Sequence, residues 1–245
     1  MSNWQTMQTP PKTIVVMPTY NERANLEEMI QRLQALDMPN MSVLVIDDNS
    51  PDGTGELADR LATDTEGFVT VIHRAGKMGL GTAYVTGFQW SLEHGADYVI
   101  SMDADFSHPP DILPILVEKA QSYDVVVGSR FARGGRVDER WGLGRRLLSW
   151  CGNTYSRVVT GVPLRDVTAG FKCFRRNVLT AIDLPKVKSQ GFAFQVELSY
   201  LCHKKGFSMV EVPIYFQERT EGKSKMSLRI ILEAFWRVLE LRTRS

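Results

Sequence analysis

Short apolar runs alternate along the first half of this chain with longer stretches whose apolar residues recur at helical spacing. Thr13-Ile14-Val15-Val16-Met17 is the first run; it is stopped by Pro18 and suits a central strand of a parallel sheet. Residues 22–36 set Leu26, Met29, Ile30 and Leu33 on one helical face, with Asn21 as N-cap. Val43-Leu44-Val45-Ile46 is a second buried strand, and Val69-Thr70-Val71-Ile72 a third. Residues 54–62, 79–94 and 109–121 read as helices, and 97–102 and 124–128 as the fourth and fifth strands. This repetition predicts an α/β fold: a Rossmann-like, mostly parallel sheet flanked by helices.

The rhythm breaks after residue 128. Residues 129–148 are rich in arginine and glycine and read as a mobile loop. A helix over 145–160, a short strand over 171–174, a helix over 193–205 and a strand over 209–216 follow, with Pro213 marking an edge. Residues 226–241 form an amphipathic helix with Leu228, Ile231, Leu232, Phe235, Val238 and Leu239 in its stripe. That helix packs on the sheet or anchors at an interface. One domain spans residues 12–242, and residues 1–11 read as a disordered lead-in without an apolar signal core.

Composition narrows the classes. The 245 residues carry a formal net charge of +1, which gives no global attraction to nucleic acid. Cys151, Cys173 and Cys202 are too scattered for a disulfide framework or a zinc site. No apolar window is long enough to cross a bilayer, so any membrane contact is peripheral.

In an open parallel sheet, ligands bind outside the carboxyl ends of the strands. Those ends read Pro18-Thr19-Tyr20-Asn21-Glu22, Asp47-Asp48-Asn49-Ser50-Pro51-Asp52-Gly53, His73-Arg74 with Lys77, and Asp103-Ala104-Asp105. Taken singly, each is ordinary turn chemistry. Taken together they fit one site. Asp103 and Asp105, two apart at a strand end, can face one point, and two hard oxygen ligands suit Mg²⁺ or Mn²⁺ carrying a phosphorylated substrate. Neither a dinucleotide-binding glycine fingerprint nor a P-loop is present.

The chain resembles family 2 glycosyltransferases with the A-type nucleotide-sugar-binding fold, and within them the dolichol-phosphate (polyprenol-phosphate) mannose synthases. The resemblance covers residues 12–240. It rests on Met17-Pro18-Thr19-Tyr20-Asn21-Glu22, Ile46-Asp47-Asp48-Asn49-Ser50-Pro51-Asp52-Gly53-Thr54, Gly79-Leu80-Gly81-Thr82-Ala83-Tyr84 and Met102-Asp103-Ala104-Asp105-Phe106-Ser107-His108-Pro109-Pro110. It continues in Val127-Gly128-Ser129-Arg130, Asp166-Val167-Thr168-Ala169-Gly170-Phe171, Gly191-Phe192-Ala193-Phe194-Gln195-Val196-Glu197, Phe216-Gln217-Glu218-Arg219 and Gly222-Lys223-Ser224-Lys225.

The resemblance implies transfer of mannose from GDP-mannose to a polyprenyl or dolichyl monophosphate, metal-dependent and inverting. It implies that Pro18, Tyr20, Glu22, Ile46 and Asp48 hold the guanosine half. Asp103, Ala104 and Asp105 would meet the sugar diphosphate, with the metal on Asp103, Asp105 and Ser107. Arg219 and Lys225 would close over the diphosphate. Arg130, Arg145 and Ser149 would take the lipid phosphate, Arg130 also serving donor and catalysis. The arginine-rich segment abuts Trp141, Leu147, Leu148 and Trp150, a basic and aromatic surface suited to a lipid headgroup. The implied setting is the cytoplasmic face of a membrane, reached directly or through a small membrane subunit. Glycosyl transfer of another sugar to polyprenyl phosphate, and a non-catalytic nucleotide-sugar-binding module, remain open.

Overall fold

The computed structural model describes residues 10–187, 189–218 and 228–243. The first half follows the predicted alternation: β1 (Thr13–Thr19), α1 (Arg23–Gln34), β2 (Met41–Asp47), α2 (Thr54–Asp64), β3 (Val69–His73), α3 (Leu80–Glu93), β4 (Tyr98–Ser101), α4 (Leu113–Ala120) and β5 (Val125–Ser129). The second half adds β6 (Arg136–Val137), α5 (Leu143–Thr160), β7 (Lys172–Arg175), α6 (Arg176–Ala181), α7 (Gly191–Lys204), β8 (Met209–Pro213), β9 (Tyr215–Phe216) and α8 (Leu228–Thr243).

Seven strands form one sheet in the order β3-β2-β1-β4-β7-β5-β8. All are parallel except β7, which runs antiparallel to both β4 and β5. This reversal shapes the site. It sets Lys172, the first residue of β7, beside Ser101 and Val127, so residues 166–171 arrive at the edge where the parallel strands end.

The apolar runs are buried on both faces, as a parallel sheet requires. Ile14, Val16, Leu44 and Ile46 pack with Tyr84, Phe88 and Phe194 on one face. Val15, Met17, Val43 and Val45 pack with Leu26, Met29, Ile30 and Leu33 on the other. The period of two along each strand decides which residue goes where. Helix α3 lies close on β1: a Cβ at Gly87 would sit 2.3 Å from Val16 Cγ1. Gly87→Ala would therefore force the Val16 side chain or the helix to shift.

Several expectations are corrected. Asn21 is not the N-cap of α1; it takes φ 60°, Glu22 holds the cap position without a side-chain bond, and Asn21 N–H instead donates to Ser50 Oγ. Pro18 does not stop β1. It lies beyond the last β1–β4 pair, so its missing N–H costs no bond to β4. The arginine-rich stretch is not a plain loop, since β6 pairs with β9 and α5 begins at Leu143. The strand expected over 209–216 breaks at Pro213, with β8 at the sheet edge and β9 in the second, two-stranded sheet.

Helix α8 packs on the domain. Val238 and Leu241 are buried in the core, and Phe235 stacks on Tyr155 at 4.4 Å, while Trp236 is 67% exposed. The expected lead-in falls largely outside the described residues. No helix among the described residues is long and apolar enough to cross a membrane.

Candidate active site

The ends of β1 and β2 are knitted together by their own turn residues. Asp47 accepts hydrogen bonds from Thr19 Oγ1 at 3.1 Å, Ser50 Oγ at 2.6 Å and Ser50 N–H at 3.0 Å. Asp52 accepts from Arg23 N–H, Thr54 N–H and Thr54 Oγ1. Both carboxylates thus shape the loop. Asp48 differs. It is buried, and Arg74 Nε lies 3.2 Å from its Oδ1. Burial raises the Asp48 pKa, against the lowering effects of Arg74 and the backbone N–H groups of Met78 and Gly79. Arg74 is itself fixed by donating to Thr82 Oγ1 at 2.7 Å. Lys77 Nζ sits 4.0 Å over the Tyr20 ring, covering the face that could stack on a base. Pro18 and Glu22 are half-buried at the same edge, and Glu22 accepts from Asn25 Nδ2. Ile46 is fully buried in the core, where its side chain contributes packing.

The aspartates after β4 are held by neutral donors. Tyr84 Oη donates to Asp103 Oδ1 at 2.9 Å; burial, and then the nearby Asp103 charge, push the phenol well above its ordinary pKa, so it stays a donor. Asp105 Oδ1 accepts from Ser107 N–H at 3.1 Å and Ser107 Oγ at 2.6 Å. Ser107 thereby supports Asp105 from a fully buried position. Ala104 is buried between the two aspartates. Asp103 N–H donates to His108 Nδ1 at 3.0 Å, which leaves the proton of the neutral imidazole on Nε2. Among the described residues no cluster of three or more His, Cys, Asp or Glu is placed to hold a metal. Two carboxylates nevertheless fit a hard divalent cation whose other positions are filled by diphosphate oxygens and water.

The cations lie across the edge, after β5. Arg130 forms a buried bidentate pair with Asp166, Nε at 2.8 Å and Nη2 at 2.7 Å, and also donates to Thr168 Oγ1 at 2.7 Å. Burial raises the Asp166 pKa, but the Arg130 charge and hydrogen bonds outweigh it, so the carboxyl ends below its ordinary value. Arg145 Nη1 donates to both oxygens of Glu218, at 2.5 and 2.6 Å, and stacks 3.9 Å over the Trp141 ring. Ser149 follows Arg145 by one helical turn and is half-buried. Trp141, expected on the exposed basic surface, is buried edge-on against Phe216. Arg219 and Lys225 lie outside the described residues.

A cavity of about 210 Å³ is lined by one member of each set, Asp103 and Arg130, with His108, Thr168, Gly170 and Gln195, among others. A larger open depression of about 710 Å³ lies at the start of β4, between Asp97 and Arg176. It sits at the opposite edge of the sheet from the strand ends that carry Asp103 and Asp105. Sequence reasoning gave no role to Arg74, Tyr84, Asp166, Lys172, Gln195 or Glu218. Asp166 pairs with Arg130 from 36 residues away, so no local sequence signal pointed to it.

A mostly parallel sheet with paired aspartates at one strand end, and a cavity lined by Asp103 and Arg130, fits an A-type glycosyltransferase. The chain belongs to glycosyl transferase family 2, whose model matches residues 14–182. It is 46% identical over 96% of its length to a polyprenol monophosphomannose synthase of Mycolicibacterium smegmatis, covering 88% of that protein. It is 44% identical over 91% of its length to an undecaprenyl-phosphate mannosyltransferase of Micrococcus luteus, covering 90% of it. Among solved structures, glucosyl-3-phosphoglycerate synthase from Mycobacterium tuberculosis superposes with a TM-score of 0.68 at 17% identity, covering 95% of this chain and 80% of that one. The same synthase has been crystallised with Mn²⁺ and UDP-glucose.

Proposed function

We propose that this glycosyltransferase moves mannose from GDP-mannose to a polyprenyl monophosphate at a membrane surface, with inversion at the sugar. What carries the reading is similarity to two polyprenyl-phosphate mannosyltransferases across more than nine tenths of the chain. A cavity lined by both Asp103 and Arg130 supports it.

In this reading the guanosine half lies along Pro18, Tyr20, Glu22, Ile46 and Asp48, and the diphosphate meets Asp103, Ala104 and Asp105. Asp103 and Asp105, supported by Ser107, would hold Mg²⁺ or Mn²⁺, which supplies Lewis-acid neutralisation of the leaving diphosphate. Arg219 and Lys225 would add positive charge on the same group. The lipid phosphate would exchange onto Arg130, Arg145 and Ser149. One of its oxygens forms the new bond to the sugar C1 as the bond from C1 to the diphosphate oxygen breaks, and the electron pair leaves with GDP. The attacking phosphate is already anionic at neutral pH, so positioning suffices and no proton need be removed. Leu143, Leu147, Trp150 and Val158 of α5 are 56–83% exposed and fall on one helical face, suited to a bilayer surface beside the phosphate site.

The test is transfer from labelled GDP-mannose to polyprenyl phosphate in liposomes, with Mn²⁺, with Mg²⁺ and with chelator. The expected result is metal-dependent label in the organic phase. Turnover of UDP-glucose but not GDP-mannose would replace the donor. Donor binding without any lipid product would overturn catalysis by this route.

A further inference from the structure

The cavity lined by Asp103 and Arg130 contains a polar group with no partner. Gln195 sits on α7, is 3% exposed, and its Nε2 makes no hydrogen bond within the protein. A buried amide left this way costs stability unless water or a ligand in the cavity satisfies it. Its orientation is not adjustable. Lys172 Nζ, fully buried at the start of β7, donates to Gln195 Oε1 at 2.9 Å and to the Gln195 carbonyl at 3.0 Å. Nζ donates to both oxygens, and while Lys172 is an ammonium it cannot accept a hydrogen bond, so Oε1 faces Lys172 and the NH₂ faces away from it.

Gly170 keeps the space in front of that amide open. A Cβ at Gly170 would lie 3.6 Å from Gln195 Nε2 and 3.7 Å from His108 Nε2. The His108 tautomer is likewise set, because Asp103 N–H occupies Nδ1. Two N–H donors therefore border one small volume that Asp103 and Arg130 also line.

We propose that Gln195, oriented by Lys172 and assisted by His108, hydrogen-bonds a hydroxyl oxygen of the transferred sugar and so sets sugar specificity. This rests on the reading of the cavity as the place where donor sugar meets acceptor phosphate. Asp103 and Arg130 in the lining are suited to charged groups, whereas the neutral donors match an uncharged oxygen, and the cavity of about 210 Å³ has room for one sugar ring.

The experiment compares GDP and GDP-mannose binding by calorimetry, and transfer from GDP-mannose and its mono-deoxy analogues, in wild type, Gln195→Glu and Gly170→Ala. Gln195→Glu keeps a partner for Lys172 but turns a donor into an acceptor. Gly170→Ala introduces only ordinary van der Waals contacts, so it should fold, but it fills the volume in front of the amide. The expected result is unchanged affinity for GDP, about a tenfold loss for GDP-mannose in kcat/KM, and no further loss for the one deoxy analogue that lacks the bonded hydroxyl. Acceptor KM should stay the same. Equal loss of GDP affinity, or a rise confined to acceptor KM, would overturn the assignment. Binding is read without any acceptor, so a failure of the lipid reading leaves this outcome distinguishable: wild type would bind GDP-mannose in preference to GDP yet form no lipid product.

Discussion

Residues 13–120 and residues 129–218 hold their functional side chains by different means. In the first region the carboxylates are gripped mainly by neutral donors close in the fold, Asp47 by Thr19 and Ser50, Asp103 by Tyr84, and Asp105 by Ser107. In the second, arginines are gripped by carboxylates, Arg130 by Asp166, Arg140 by Asp138 and Arg145 by Glu218. The difference follows from what each side is suited to meet. Carboxylates that receive a cation must stay anionic, and hydroxyl and amide donors leave their charge in place. If the arginines receive a phosphate as proposed, a carboxylate would hold each extended and apart until that anion takes its place.

The contrast is sharpest in stability. Asp166→Asn removes the charge from a fully buried partner and leaves Arg130 uncompensated, which should cost about 3–5 kcal/mol. Thr19→Val, which removes one neutral donor from Asp47, should cost about 1 kcal/mol. Denaturant unfolding of the two variants checks this. Equal costs would erase the distinction between the regions.

Catalysis gives the next largest effect. Asp103→Asn or Asp105→Asn should lower kcat by about 100- to 1000-fold at saturating metal, the scale of losing a preorganised charge at the reacting centre. Tyr84→Phe, which leaves the Asp103 charge intact, should lose far less. A Tyr84→Phe loss as large as that of Asp103→Asn would mean that orientation, not charge, is what the first region supplies.

The same two regions differ in how much of them the sequence exposes. The runs Thr13–Met17 and Val43–Ile46 are continuously apolar because β1 and β2 are buried on both faces, so the parallel sheet was legible. Asp103 and Asp105 were legible because they follow such a run directly. The holders of the second region were not. Arg130 and Asp166 are 36 residues apart, and Arg145 and Glu218 are 73 apart. They meet because β7 inserts antiparallel between β4 and β5, and no local periodicity encodes that insertion. Trp141 misled for a related reason. Beside leucines and arginines it reads as surface, yet Phe216, arriving from the far end of the domain, buries it.

Lys172 tests the pattern from within the second region, since neutral oxygens of Gln195 hold it instead of a carboxylate. Burial lowers its pKa from 10.5 to about 7, with Arg130 lowering it further while Cys202 and Asp166 oppose. The native state thus sheds this proton above about pH 7, whereas the unfolded chain keeps it to about 10.5. The unfolded state binds more protons in that window, so this residue makes stability rise with pH, by about 2–3 kcal/mol between pH 7 and 9. Lys172→Met should flatten that rise when unfolding is followed across the window. A slope unchanged in Lys172→Met would mean the amine stays charged and that a carboxylate, not Gln195, sets its state.

The smallest effect probes the placeholder idea itself. Glu218 engages Arg145 through both oxygens, but the pair is partly exposed, with side chains 36% and 25% accessible. Solvent screens such a pair, so breaking it should change stability by less than about 1 kcal/mol. Its effect on binding should be easier to see. Arg145 rests on the Trp141 ring at 3.9 Å, so the guanidinium keeps its position when Glu218 is neutralised. Glu218→Gln then leaves the same cation with one fewer competitor for a phosphate. Acceptor KM should fall about two- to fivefold, with donor KM unchanged and with a stronger dependence on salt. A rise in acceptor KM would show that Glu218 orients Arg145 for the acceptor instead of reserving its place, and the carboxylates of the second region would then be part of the working site and not stand-ins for its ligand.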